Sequence, residues 1–300
     1  GAALKPGTYY VAVLPQTFEE GIIISMFNAD NEQAERVRSK ELQIRRGKYL
    51  NAGNVDALES WGTSYHISST EEFVQFMSKE SYDATARIGL LADIDLQGLE
   101  VGSIKKFDGV FDGNGYRIRN WAMTAPMFET LNGTLQNLVM DESCTVKNVP
   151  ADEDFAVMVR YNNGLISGCT NYVDLKVEGV EFSKAHSIGG VVAITTSRVE
   201  ECYNYGDITL LPSNVVNFTS NASEGSKLYL GGVIGKVNTL VDPVEIMLCE
   251  NYGDITYSTE GSIVSQTFMG GVTGGSLATL CSSPATWQAY SNVMLRCRNE

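Results

Sequence analysis

Histidine is nearly missing from this 300-residue chain: only His66 and His186 are present. Two imidazoles leave little material for histidine acid–base chemistry or for a multi-histidine metal centre. Positive charge is also short, with 22 Lys and Arg against 36 Asp and Glu and a net charge of −14. A chain so acidic lacks the basic footprint that nucleic-acid phosphates require, which excludes DNA and RNA as partners. Long apolar runs are absent too. The longest candidates, around Ile22–Phe27 and Leu228–Ile234, are strand-sized and far short of the roughly 20 residues of a membrane span, so the sequence contains no transmembrane segment. No basic stretch followed by an apolar one opens the chain, and a secretion signal removed upstream is the expected reason. Both ends read as cuts through a longer protein.

Charge divides unevenly. Residues 1–50 carry seven basic and six acidic residues, leaving 15 basic against 30 acidic for the remainder, which sets a boundary near Gly53. Ahead of it, Tyr9–Leu14, Ile22–Phe27 and Arg36–Ile44 are rich in β-branched and aromatic residues and are separated by turn formers, so three strands of a β-sandwich are expected. The run T-Y-Y-V-A-V-L-P-Q-T-F, the Ile22–Phe27 strand and K-E-L-Q-I-R-R-G-K-Y-L-N-A-G resemble the closing strands of a fimbrillin-like domain. That resemblance covers residues 1–53 and implies export to the cell surface. Residues 54–66 form a linker, and the remaining domain is residues 67–300.

That domain opens on Ser69-Thr70-Glu71-Glu72, a capping box that starts a helix. Phe73, Val74, Phe76 and Met77 fall on one side of it, and a short amphipathic helix ahead of a repetitive β-region is suited to covering a solenoid's open end.

Beyond the helix the sequence repeats. Cys202-Tyr-Asn204-Tyr205-Gly206-Asp207-Ile208 recurs as Cys249-Glu-Asn251-Tyr252-Gly253-Asp254-Ile255, degenerately as Cys169-Thr-Asn171-Tyr172-Val-Asp174-Leu175, and in part as Cys297-Arg-Asn299. A Gly-Gly-Val element at Gly189, Gly231 and Gly270 precedes each later copy by 13, 18 and 27 residues. Fixed motifs with elastic spacers indicate stacked coils with loop insertions: strands must align and loops need not. The expected fold is all-β, a partial β-sandwich followed by a parallel β-helix with an N-terminal capping helix.

I-S-S-T-E-E-F-V-Q-F, L-L-A-D-I-D-L, F-D-G-V-F-D-G-N-G-Y-R-I-R-N-W and M-F-E-T-L-N-G-T-L-Q-N-L-V-M, followed by the Gly-Gly-Val and Cys-x-Asn blocks, resemble the GLUG-repeat domains of bacterial surface proteins. The resemblance implies a right-handed β-helix, an exported and surface-displayed module, and a loose link to adhesion. It supplies no catalytic residue set and no cofactor.

Four groups of residues are candidates for chemistry. Asp108, Asp112 and Asn114 have calcium-loop spacing, yet lack the bidentate glutamate at the twelfth position and equally describe a tight turn. Asp174, Asp207 and Asp254 share a repeat position and form either a carboxylate column or three turns. Cys169, Cys202, Cys249 and Cys297 share another, which favours inward thiols over disulfides, with Cys144 and Cys281 unassigned. Phe218, Tyr229, Trp287 and Tyr290 lie in or beside the spacers, where aromatic rings either bind sugars or pin loops to the coils. These features lead one to expect a non-catalytic surface protein for adhesion to glycans or host proteins, at the cell surface, in the outer membrane or outside the cell. Its rivals are a β-helix polysaccharide lyase or glycoside hydrolase using carboxylates such as Asp108, Asp112 or Asp207, and a structural stalk.

Overall fold

A computed structural model describes residues 14–18, 22–27, 33–38, 42–44, 64–146, 154–178, 186–211, 227–238, 244–257, 266–276, 293–295 and 297–299. The chain forms two compact units, residues 1–65 with 85–87, and residues 66–84 with 88–300.

In the first unit Ile22–Phe27 pairs antiparallel with Gln33–Arg38, and Gln16–Phe18 pairs antiparallel with Leu42–Ile44. The single strand expected over Arg36–Ile44 is therefore two. Its two described parts pair with different partners, which β-propensity alone does not reveal. The strand expected at Tyr9–Leu14 lies outside the described residues except for Leu14, and the linker expected over 54–66 lies outside them up to residue 63; its last residues belong to a strand, Ser64–Ile67.

The second unit is a stack of coils. One sheet takes a strand from each coil in turn: Ser81–Tyr82, Lys106–Phe107, Phe128–Leu131, Val159–Asn162, Val192–Thr195, Ile234–Val237 and Thr273–Ser276. A second runs through Val110–Asp112, Thr134–Gln136, Leu165–Ser167, Val199–Glu200, Glu245–Met247 and Val293–Leu295. A third runs through Ile94–Asp95, Arg117–Arg119, Val139–Met140, Thr170–Asn171, Tyr203–Asn204, Glu250–Asn251 and Arg298–Asn299. Pairing from coil to coil is parallel and in register, so the fold is a parallel β-helix. Later coils add two further strands, stacked as Leu175–Glu178, Ile208–Leu211 and Ile255–Tyr257, and as Phe155–Ala156, His186–Gly189, Lys227–Gly231 and Gln266–Gly270. Equivalent positions are 24, 31, 33, 47 and 48 residues apart along the stack. The variable spacers are thus accommodated between strands while the register holds.

The two repeat motifs are one packing unit. Asn171, Asn204 and Asn251 are buried and form a continuous amide ladder with Asn299: each Nδ2 donates to the next Oδ1 at 2.8, 2.8 and 2.9 Å. Each of the three also donates within its own coil, to the carbonyls of Val173, Gly206 and Gly253. Amides buried this deeply are stable only because both donors are used. Across the same coil the second glycine of Gly-Gly-Val lies against the asparagine. A Cβ on Gly190 would come within 2.3 Å of Asn204 Oδ1, and one on Gly232 within 2.2 Å of Asn251 Cγ. The motifs keep their order because each coil needs both.

The helix spans Thr70–Met77, and the Ser69 side chain accepts the Glu72 N–H at 3.2 Å. The Glu72 carboxylate answers at Ser68, whose N–H donates to it at 2.7 Å, one residue earlier than a standard capping box places the return bond. Phe73, Phe76 and Met77 are buried, whereas Val74 is exposed. Phe73 packs edge-on to Trp121 at 5.7 Å, and Phe76 packs against Tyr82, Phe107 and Phe111 at 5.0–6.3 Å. No helix among the described residues is long and apolar enough to cross a membrane.

Candidate functional site

Side chains alternate across a strand, so the residue after each ladder asparagine points outward. In three successive coils that residue is tyrosine. Their N–H groups are tied to the preceding coil, Tyr172 to Met140, Tyr205 to Asn171 and Tyr252 to Asn204, at 2.8–2.9 Å. The rings stack accordingly, Tyr172 on Tyr205 at 4.8 Å and 12°, and Tyr205 on Tyr252 at 4.6 Å and 3°. Tyr205 remains 41% exposed. Such a ladder uses its ring faces internally and presents edges and hydroxyl ends; the Tyr252 hydroxyl donates to the Glu250 carboxylate.

Toward the N-terminal coils the strip becomes ionic. The Arg117 guanidinium lies 5.1 Å from the Tyr172 ring centre and donates to Asp141 Oδ2 at 3.0 Å. Arg119 pairs with Asp93 at 2.8 Å. Burial pushes the Asp141 carboxyl up, but the Ser143 hydroxyl and N–H together with Arg117 outweigh it and hold the group below its ordinary value. An anionic Asp141 keeps Arg117 in place over the end of the ladder.

A second, unrepeated cluster sits on the first sheet. Arg160, 8% exposed, engages the Glu129 carboxylate through Nε at 2.7 Å and Nη2 at 3.3 Å, and Lys105 approaches the same carboxylate at 3.7 Å. Tyr161 donates its hydroxyl to Asp154 at 3.1 Å. Burial, then the Asp154 charge, pushes the Tyr161 phenol up to about 12, so it is a hydrogen-bond donor at neutral pH and not a base.

The residues singled out from sequence do not converge. Asp108 accepts from Asn132 and Lys106, and Asp112 accepts from the Asn114 N–H, Asn137 and Gln136, at 2.6–3.0 Å. The Asn114 side chain donates to the Leu90 carbonyl. Among the described residues no group of three His, Cys, Asp or Glu is placed to hold a metal ion. Asp174, Asp207 and Asp254 are turn residues joined in series, Asp174 Oδ1 accepting the Asp207 N–H and Asp207 Oδ1 the Asp254 N–H, both at 2.8 Å. Cys169, Cys202 and Cys249 are free and buried, and desolvation pushes the Cys202 thiol well up.

Of the four aromatic candidates, Phe218, Trp287 and Tyr290 lie outside the described residues. Tyr229 is 5% exposed, stacked on Phe268 at 5.0 Å and 10°, with the Lys236 ammonium 4.8 Å from its ring centre. Its ring also covers Gly275, where a Cβ would come within 2.5 Å of Tyr229 Cδ1. The Tyr229 ring thus lies between the next side strand, through Phe268, and the first sheet, through Lys236 and Gly275. The tyrosine ladder was missed from sequence, although its signal was present: the same Asn-Tyr pair recurs in three repeats.

No protein-family model matches the chain, and no curated protein does. Among solved structures it is similar to a Bacteroides ovatus protein described as a "putative immunoglobulin A1 protease", at 15% identity and a TM-score of 0.50, over 79% of this chain and 75% of that one. The two share a fold. Identity this low carries neither activity nor substrate from one to the other.

Proposed function

We propose that the chain is a non-catalytic binding module of an exported bacterial surface protein, and that it recognises its partner on the tyrosine face of the third sheet. The observation behind this reading is the Tyr172–Tyr205–Tyr252 ladder. The core does not need outward rings, and Tyr205 stays exposed despite being stacked on both sides. With both of its faces occupied, Tyr205 offers no platform for a sugar ring; recognition there proceeds through hydroxyls, ring edges and the neighbouring Arg117 and Asp141. Glycans and host proteins are both partners of that chemistry. The GLUG-like motifs support a right-handed helix and a surface location, the fimbrillin-like strands support export, and the buried aromatic side of helix Thr70–Met77 supports its role as an end cap.

A glycan and protein array probed with the wild-type chain and with Tyr205→Ala tests the proposal. Binding that falls at least tenfold in the variant, with no change in the products recovered, is the expected result. Binding indifferent to Tyr205 moves the recognition face elsewhere.

One observation favours the enzymatic rival: the Lys105, Glu129, Asp154, Arg160 and Tyr161 cluster occurs once and mixes acids with bases, as a lyase or hydrolase centre does. Reducing-sugar and unsaturated-product assays on each array hit decide it. New chain ends that disappear with Tyr161→Phe establish catalysis at that cluster.

A further inference from the structure

The tyrosine face of the third sheet has negative charge along both margins. Two residues after Tyr172 and Tyr205 stand the exposed Asp174 and Asp207, tied in series by the Asp207 N–H, which Asp174 Oδ1 accepts at 2.8 Å. On the other margin the exposed Glu201 sits at the bend that enters the sheet, and half-buried Glu250 lies beside Tyr203 in the outward row. Burial, then the Glu250 and Glu201 charges, push the Tyr203 phenol up, so the field of these acids reaches the middle of the face. The nearby arginines are committed to other carboxylates: Arg117 to Asp141 at 3.0 Å, Arg198 to Glu200 at 2.6 Å and Arg298 to Glu250 at 4.0 Å. Lys176 stands on the next strand, level with Thr209. Among the described residues no ion pair takes in Asp174, Glu201 or Asp207.

This arrangement selects among partners. The ring faces of Tyr205 are covered by Tyr172 and Tyr252, which leaves no platform for a flat sugar ring. An acidic glycan or acidic peptide would meet like charge on both margins, which is unfavourable in a docked complex. A cation on a long aliphatic stem suits every part of the face. Its ammonium or guanidinium donates to the marginal carboxylates and to tyrosine hydroxyl oxygens, while its stem lies along the ring edges. Carboxylate and tyrosine recur together from coil to coil, so the face suits a row of cations better than a single one. We propose that it docks a lysine- or arginine-rich extended segment of a partner polypeptide, laid along the tyrosine strip with its cations on Asp174, Asp207 and Glu201. This rests on the tyrosine strip being the recognition face and narrows its occupant to a basic polypeptide.

The test is fluorescence polarisation of a labelled, end-blocked peptide, Lys-Thr-Lys-Thr-Lys-Thr-Lys, titrated with the full chain. Its glutamate counterpart, a labelled hyaluronan oligosaccharide and a labelled cello-oligosaccharide serve as the other probes. Expected is saturable binding of the lysine peptide alone, several-fold tighter at about 20 mM than at about 200 mM salt. Asp174→Asn combined with Asp207→Asn removes two charges and keeps both Oδ1 acceptors, and is expected to weaken binding about tenfold, as is Tyr205→Ala. Glu71→Gln combined with Glu80→Gln removes the same charge from exposed positions elsewhere and is expected to change affinity by less than about twofold. If the asparagine pair alters the far-ultraviolet circular dichroism, Glu201→Gln on the other margin replaces it. No saturable binding of the lysine peptide, or equal weakening by both charge-removing pairs, overturns the proposal. Binding of the glutamate peptide or of either oligosaccharide that is lost in Tyr205→Ala also overturns it, yet leaves the tyrosine strip as the recognition face. Indifference of every probe to Tyr205 removes both.

Discussion

The bend between the second and third sheets carries positive φ at two residues in one coil, Asn114 at 50° and Gly115 at 75°, and at a single residue in the next four: Asn137 at 52°, Gly168 at 63°, Glu201 at 52° and Leu248 at 53°. Asparagine and glycine tolerate this region, whereas other L-residues lose about 1–2 kcal/mol there. Glu201 is exposed, so Glu201→Asn is expected to raise unfolding free energy by about 0.5–1 kcal/mol in denaturant titration. Gly232 is the opposite case. A Cβ there meets Asn251 Cγ of the same coil at 2.2 Å and the Gly271 carbonyl oxygen of the next coil at 2.1 Å, so Gly232→Ala is expected to cost about 3 kcal/mol. Asp112 couples stability to pH. Burial pushes its carboxyl up, but hydrogen bonds from Gln136, the Asn114 N–H and Asn137 outweigh it and leave the folded value below the ordinary one. Between the folded value and the unfolded value near 4 the unfolded state binds more protons, so stability rises with pH there; it is fully present above about pH 4 and is lost as pH falls through the folded value. Melting temperatures measured from pH 2.5 to 6 should show a shallower acid loss for Asp112→Asn than for wild type; an equal loss assigns the acid sensitivity to other carboxylates.

The asparagine ladder is the element whose failure spreads. Asn204 accepts from Asn171 and donates to Asn251 and to the Gly206 carbonyl, so Asn204→Ala strands polar groups in three coils at once. Leaving buried partners unsatisfied costs about 1–3 kcal/mol each, and a loss of at least about 3 kcal/mol is expected in a urea titration. A loss under 1 kcal/mol would mean that water replaces the amide. Repetition of Cys-x-Asn and Gly-Gly-Val was legible as stacked coils, because identical residues at identical strand positions must stack. That the two motifs touch was not legible: 13 to 27 residues separate them, and only closure of each coil brings glycine onto asparagine. The helix start at Ser69 was legible through its local cap, whereas its ring partners Phe107, Phe111 and Trp121 belong to later coils.

At the scale of the molecule, a stack in which each coil contacts only its neighbours loses structure from its ends. Amide hydrogen exchange should be slow for Val159–Asn162, Leu165–Ser167 and Val192–Thr195, which have a strand on either side in their sheets, and faster for Ser81–Tyr82, the end strand of the first sheet. Uniform protection would mean that the stack unfolds as one cooperative unit.

Composition and periodicity by themselves determined that the chain is rich in strands, acidic and repetitive, since strand alternation and turn chemistry act over a few residues. They also placed the Tyr229 ring as either a plug or a ligand platform without choosing between them. The tertiary structure adds the surroundings of that ring, which lies against Phe268, Lys236 and Gly275. It likewise decided that Tyr172, Tyr205 and Tyr252 stack as one strip and that Arg160 and Lys105 both reach Glu129. These residues belong to different coils, and their distances are set by the register of the stack, a non-local quantity that no short window of sequence contains.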